Sequence, residues 1–123
     1  MIAESLTWMA CRVDASTLEH ARAFAAALGL TVLVDEPSKL MAATERGDVI
    51  EYCGPEAEVP AHLFAGQSTV IGFRVADVDA ATAELTTAGF EPFGDPVDAG
   101  PVRFVHLRGP GGVVYGLIQP VSR

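Results

Sequence analysis

The sequence is short of basic residues: eight Lys and Arg stand against sixteen Asp and Glu, a formal charge of −8. Such a surface repels phosphate backbones and anionic headgroups, so nucleic acid and membrane are not expected as partners, while a cationic molecule is favoured. Cysteine is nearly absent. Cys11 and Cys53 are far apart and outside any Cys-x-x-Cys or Cys/His spacing, so they read as small buried apolar groups in a reducing compartment. No apolar run approaches the ~18 residues that cross a bilayer, and no basic start leads into an apolar stretch with a cleavage site. The expected location is the cytoplasm. What the chain does have is hydrophobic residues, half of its 123, enough for one domain that folds without metal or disulfide staples and buries roughly two-thirds of its unfolded surface.

Hydrophobic period divides the chain into two similar halves. Leu6 to Val13, "LTWMACRV", has the β-branched and aromatic content of a strand. A helix follows, with Asp14 or Ser16 as cap, Leu18, Ala21, Phe24, Ala25 and Leu28 on one face, and Gly29 as the stop. "LTVLVD", "KLMAATERG" and "DVIEYCG" then read as three strands parted by Pro37 and Gly47. Residues 54–67, "GPEAEVPAHLFAGQ", hold two prolines and two glycines without a steady period, which suggests a connector. Beyond it come a strand in "STVIGFRV", a helix in "ADVDAATAELTTAGF" with Asp77 near its cap and Gly89 past its end, and strands in "EPFGD", "PVRFVHLRG" and "GVVYGLIQP".

Each half is therefore βαβββ, and residues repeat as well as elements. Arg12-Val13 recurs 62 positions later as Arg74-Val75, and "GDVIEYCGP" from Gly47 aligns with "GVVYGLIQP" from Gly112, 65 positions on. This is an internal duplication of a unit of about fifty residues. The expected fold is α+β: modules 5–53 and 68–120 form a curved mixed sheet with helices on its outer face, in a single domain spanning 1–123.

"WMACRVDASTLEHARAFAAALGLTVLV" and "VIGFRVADVDAATAELTTAGFEPFG" followed by "VRFVHLRGPGGVVYGLIQP" resemble the two modules of the vicinal oxygen chelate superfamily, which includes glyoxalase I, extradiol dioxygenases and bleomycin-resistance proteins. The resemblance implies a ligand pocket on the concave side and a homodimer. Many metal-using members place one ligand on the first and last strand of each module. Those positions fall here on Trp8, Glu51, Val70 and Gly116. One carboxylate beside indole, isopropyl and hydrogen does not make a divalent-metal site, so no metal and no cofactor is expected.

The resemblance turns Trp8, Glu51, Val70 and Gly116 toward the concave side and, on the strand from Val102, Phe104 and His106 with them, while strand alternation sends the intervening residues to the helix layer; these six are the candidate ligand-binding residues. Gly72 and Gly116 are expected to leave room for a flat ligand that stacks on Trp8. Glu51 would pair with a cationic group, accept a hydroxyl, or pair with Arg12 or Arg74. Phe24 and Phe73 read as core, and His20 and His62 as surface. The reading that follows is a metal-independent binding protein that sequesters an aromatic or cationic natural product, as the antibiotic-resistance relatives do. The alternative is a metal-independent enzyme of isomerase or lyase type, with Glu51 as general base and His106 as acid.

Overall fold

The period switches at Asp14 because its side chain accepts from the Thr17 amide and starts a helix that the next strand pattern could not extend. In the computed structural model, which describes residues 2–121, strand β1 (Ala3–Arg12) leads into α1 (Ala15–Leu28) and then β2 (Thr31–Glu36), β3 (Lys39–Ala43) and β4 (Val49–Cys53). Gly29 ends α1 in the left-handed region at φ 73°, where its amide reaches back to Ala25 and Ala26. The second half repeats the plan. β5 (Thr69–Val75) leads to α2 (Val78–Thr87), capped by Asp77 on the Ala80 amide, and then to β6 (Glu91–Pro92), β7 (Val97–Ala99), β8 (Val102–Arg108) and β9 (Val114–Pro120). The counterpart of β2 is two short pieces here, because Gly94 at φ 90° bends the chain out of the ladder between β6 and β7.

All strands join one sheet in the order β2-β3-β4-β1-β5-β9-β8-β6, with β7 also on β8. The modules meet within one chain along an antiparallel β1·β5 seam, with Trp8 opposite Gly72 and Ala10 opposite Val70. Within each module the first and last strands run parallel, β1 with β4 and β5 with β9. β1 begins at Ala3, three residues before its sequence pattern, because β5 supplies partners as far as Val75.

Each helix covers the outer face of its own module. Leu18, Ala21 and Ala25 of α1 pack on Leu40 and Ala42, and Val78 and Ala81 of α2 pack on Val75, Val105, Leu107 and Leu117. Phe73 joins the second cluster. Phe24 does not join the first: it is 56% exposed, as is Leu28 at 59%. The helix sits on the sheet through its alanines, and the narrow contact leaves the larger side chains at the rim of that face outside it.

Arg103 ties α2 to the far edge, its guanidinium donating to both Asp79 oxygens and to Asp98. These pairs hold the Arg103 guanidinium charged and lower the Asp79 carboxyl below the usual carboxylate range.

Leu40 is the largest fully buried side chain of the α1 cluster. Leu40→Ala should lower stability by about 2–5 kcal/mol, a large fraction of the total for a domain of this size. Urea unfolding measures it, and a loss below ~1 kcal/mol would contradict this account of the core.

Candidate functional site

The concave face is built by even-numbered residues of β1, β5, β8 and β9 and odd-numbered ones of β3 and β4, since the opposite parities pack on the helices. Strand register lays these out in rows. One row crosses the sheet as Val49, Trp8, Gly72, Gly116 and His106. A second runs Met41, Glu51, Ala10 and Val70. A third holds Arg74, Ile118 and Phe104. Trp8, Glu51, Phe104 and His106 are thus brought to one face.

Trp8 is the centre of the arrangement. Its Nε1–H donates to Glu51 Oε1 at 3.1 Å, and its ring stacks with His106 at 6.0 Å between centroids, 16° from parallel. A Cβ added at Gly72 would stand 2.8 Å from the indole, and one at Gly116 3.2 Å from it. The space that these glycines leave is therefore filled by Trp8, which overturns the expectation of an open slot there. Gly116 offers no surface for a ligand to stack on; it is the seat of the indole.

Glu51 is half-buried, its side chain 14% exposed. Besides the indole N–H, Oε2 meets the ammonium of Lys39 at 3.6 Å and the Cys53 thiol at 3.7 Å. Lys39 is the only lysine in the chain. It takes the place expected for Arg12 or Arg74, because β3 lies beside β4 with Lys39 opposite Cys53. Arg74 instead pairs with Glu4, and Arg12 lies over the Phe64 ring. Burial and the neighbouring Glu51 charge push the Cys53 thiol up to about 11, and burial also raises Cys11. Both thiols stay protonated and unreactive near neutral pH.

The connector, residues 54–67, does more than link the modules. Leu63 is buried against Ala10, Val70 and Val114, with Val59, Phe64 and Phe93 around them. Val70 is 0% exposed, so it is core under the connector and not a contact for a ligand. Gln67 clips the segment to β9, its amide accepting from the Val114 N–H at 2.8 Å and donating to the Val114 carbonyl at 3.0 Å.

His62, expected at the surface, is half-buried by the same fold of the connector. It lies 2.9 Å from His106 Nδ1 through Nε2 and stacks on Phe93 at 4.2 Å. A hydrogen bond between two imidazoles needs one N–H and one free lone pair, so the two rings are not both protonated in this arrangement. Burial first, and the His62 charge second, depress His106 to about 4, and burial lowers His62. His106 therefore carries no acidic imidazolium near pH 7. Trp8 lies between it and Glu51, stacked with the one and hydrogen-bonded to the other. Sequence reasoning missed His62, Lys39 and Phe93; of these His62 alone had a weak signal, since "HLF" is an apolar step inside a polar, proline-bearing connector.

The positions that the sequence resemblance assigns to metal ligands carry no donor set. Trp8 donates rather than ligates, Val70 is apolar and Gly116 has no side chain, which leaves Glu51 alone. Among the described residues no three of His, Cys, Asp and Glu come together to hold an ion. Two apolar clefts open on the outer face, one of about 350 Å³ between α2 and the sheet and one of about 260 Å³ beside Met9, Ile50 and Ile71. The larger has no charged lining residue to orient a ligand. Placed polar groups are concentrated on the concave face.

No family model and no curated protein matches the sequence. Solved structures do match it. A methylmalonyl-CoA epimerase from Mycobacterium tuberculosis is 17% identical, with a TM-score of 0.72 over 98% of this chain and 91% of that one. A Streptomyces coelicolor methylmalonyl-CoA epimerase variant is 21% identical, with a TM-score of 0.66 over 98% and 96%. A Mn(II)-bound glyoxalase from Novosphingobium aromaticivorans is 16% identical, with a TM-score of 0.72 over 99% of this chain and 42% of that one. The likeness shows the fold: two βαβββ modules in one curled mixed sheet, as in the vicinal oxygen chelate proteins.

Two measurements check the geometry. Gly72→Ala should displace the indole and cost about 1–3 kcal/mol by overpacking, with a shift in the emission of the single tryptophan; unchanged emission would show that Trp8 does not sit on Gly72. The His106 ring, followed by NMR, should stay neutral until about pH 4. The unfolded ring takes its proton near 6.5, so the native state binds fewer protons in between. Stability from this residue is then complete above pH 6.5 and lost as pH falls toward 4; an ordinary titration near 6.5 would refute the buried, neutral assignment.

Proposed function

We propose that this chain is a metal-independent small-molecule binding protein whose ligand lies on the open part of the concave face. Its anchor is the Glu51 carboxylate, and its walls are Trp8, Phe104, Ile118, Val49 and Met41. The observation that carries the reading is the state of Glu51. One oxygen is fixed by the Trp8 N–H, while the other has only the long contacts to Lys39 and Cys53. A carboxylate oriented in this way on a half-buried apolar surface can accept a further charge-assisted hydrogen bond. The ligand class is an apolar or aromatic molecule with an ammonium, amine or hydroxyl donor.

Three features support binding without turnover. The metal positions of the fold carry no ligand set, His106 is neutral and engaged by His62, and the two thiols are protonated. The acidic surface attracts a cationic ligand during approach. A second copy of the chain as partner, and an antibiotic as ligand, are the forms this reading takes in the resistance proteins the sequence resembles.

The test is native mass spectrometry of the purified protein after incubation with an extract rich in aromatic amines and peptide natural products. The expected result is retention of an unchanged molecule. Glu51→Gln should then weaken its binding by roughly tenfold or more, the usual worth of a hydrogen bond to a charged group, and Trp8→Ala should weaken it too. Conversion of the molecule to a new product, or equal retention by both variants, would overturn the reading.

A further inference from the structure

The connector lies across one end of the concave trough and is held at both ends. The Gly54 amide donates to the Ser38 carbonyl at 2.7 Å, and Gln67 is clipped to Val114. Between these tethers the segment inserts Leu63 into the trough and sets His62 against His106. His62 is also sandwiched by context: Phe93 stacks on it at 4.2 Å, and His106 meets it edge-on at 5.1 Å.

We propose that residues 54–67 form a lid latched by the His62–His106 hydrogen bond, and that protonation of this imidazole pair opens the end of the trough. A first proton need not break the contact, since an imidazolium can donate to a neutral ring. A second removes the last acceptor lone pair and sets two positive charges at contact distance. The lid then separates while its two tethers hold.

Among the described residues, none of the groups in ring contact with the pair carries a negative charge. Trp8 of β1, Phe104 of β8 and Phe93 of the β6–β7 loop form the ring contacts of the pair. The guanidinium of Arg108 lies 4.9 Å from the Phe93 ring, which adds a positive charge beside that loop contact. Glu51 is bonded to the indole N–H of Trp8 and is engaged there with Lys39. The connector's own acids, Glu56 and Glu58, are exposed. His62 is the one charge that acts on His106, and burial disfavours the charged form of both rings. Latch opening is thus confined to acid below the ordinary histidine range.

That the opened trough is the route to a ligand rests on the binding function proposed above, and the experiment separates the two. Hydrogen exchange of the whole protein is followed from pH 7 to pH 4, corrected for the pH dependence of intrinsic exchange, together with the fluorescence of Trp8. The expected result is an acid-dependent loss of protection in residues 57–63 while amides of β1, β5 and β9 stay protected. In His62→Gln and, independently, in His106→Gln, which retain a hydrogen-bonding side chain but cannot form an imidazolium pair, that loss should disappear. A connector that stays protected to pH 4 in the wild type, or one that opens only together with the sheet, would overturn the latch. So would an unchanged pH profile in both variants. Lid opening in a protein that retains nothing from the extract at any pH would instead refute the binding function and leave the latch standing. Retention that does not change across the opening transition would show that the latch does not control the site.

Discussion

The concave face depends on where one indole can lie. β1 and β5 meet along the seam between the modules, and Trp8 faces Gly72 across it, with Gly116 one strand further. Two adjacent positions without side chains give the ring a bed wide enough to lie flat against the sheet. Lying there, it presents its N–H to Glu51 and its face to His106. The carboxylate, the imidazole pair and the lid are each placed by contact with that ring or with a residue it touches.

Duplication explains why the site is asymmetric although the scaffold is not. The two halves keep the same strand–helix order, the same aspartate caps and the same parallel pairing of first and last strands. Their inward residues have diverged. The first module carries the bulky and charged pair Trp8 and Glu51, and the second carries Val70 and Gly116 at the corresponding places. One module thus fills the space that the other vacates, which keeps interior packing dense without a metal to organise it.

Electrostatics follow the same economy of partners. Several cations are already engaged: Arg22 by Glu19 and Asp35, Arg74 by Glu4, Arg103 by Asp79 and Asp98, and Lys39 by Glu51. With twice as many acids as bases, the remaining surface is acidic. An incoming cation meets a favourable field, and at Glu51 an oriented carboxylate already supported by a donor.

Local and periodic features were legible in the sequence by itself. Aspartate caps, a stop at Gly29 and alternating strand residues act within a few positions, so they announced both βαβββ modules and the inward face of Trp8, Glu51, Phe104 and His106. The repeat offsets aligned the two modules, and the family resemblance put Val70 and Gly116, neither of them able to ligate a metal, at two of the ligand positions. Only the tertiary structure decided which groups meet. Periodicity does not say how far a helix face is covered, so Phe24 read as core and lies at the surface. A connector without a period says nothing about what it covers, so His62 read as solvated and Val70 as accessible, although the segment packs Leu63 on Val70 and brings His62 to His106 across 44 residues of sequence. The glycines showed that space was available at the seam; that Trp8 itself occupies it is set by strand register across β1, β5 and β9, a non-local property that no single stretch of sequence contains.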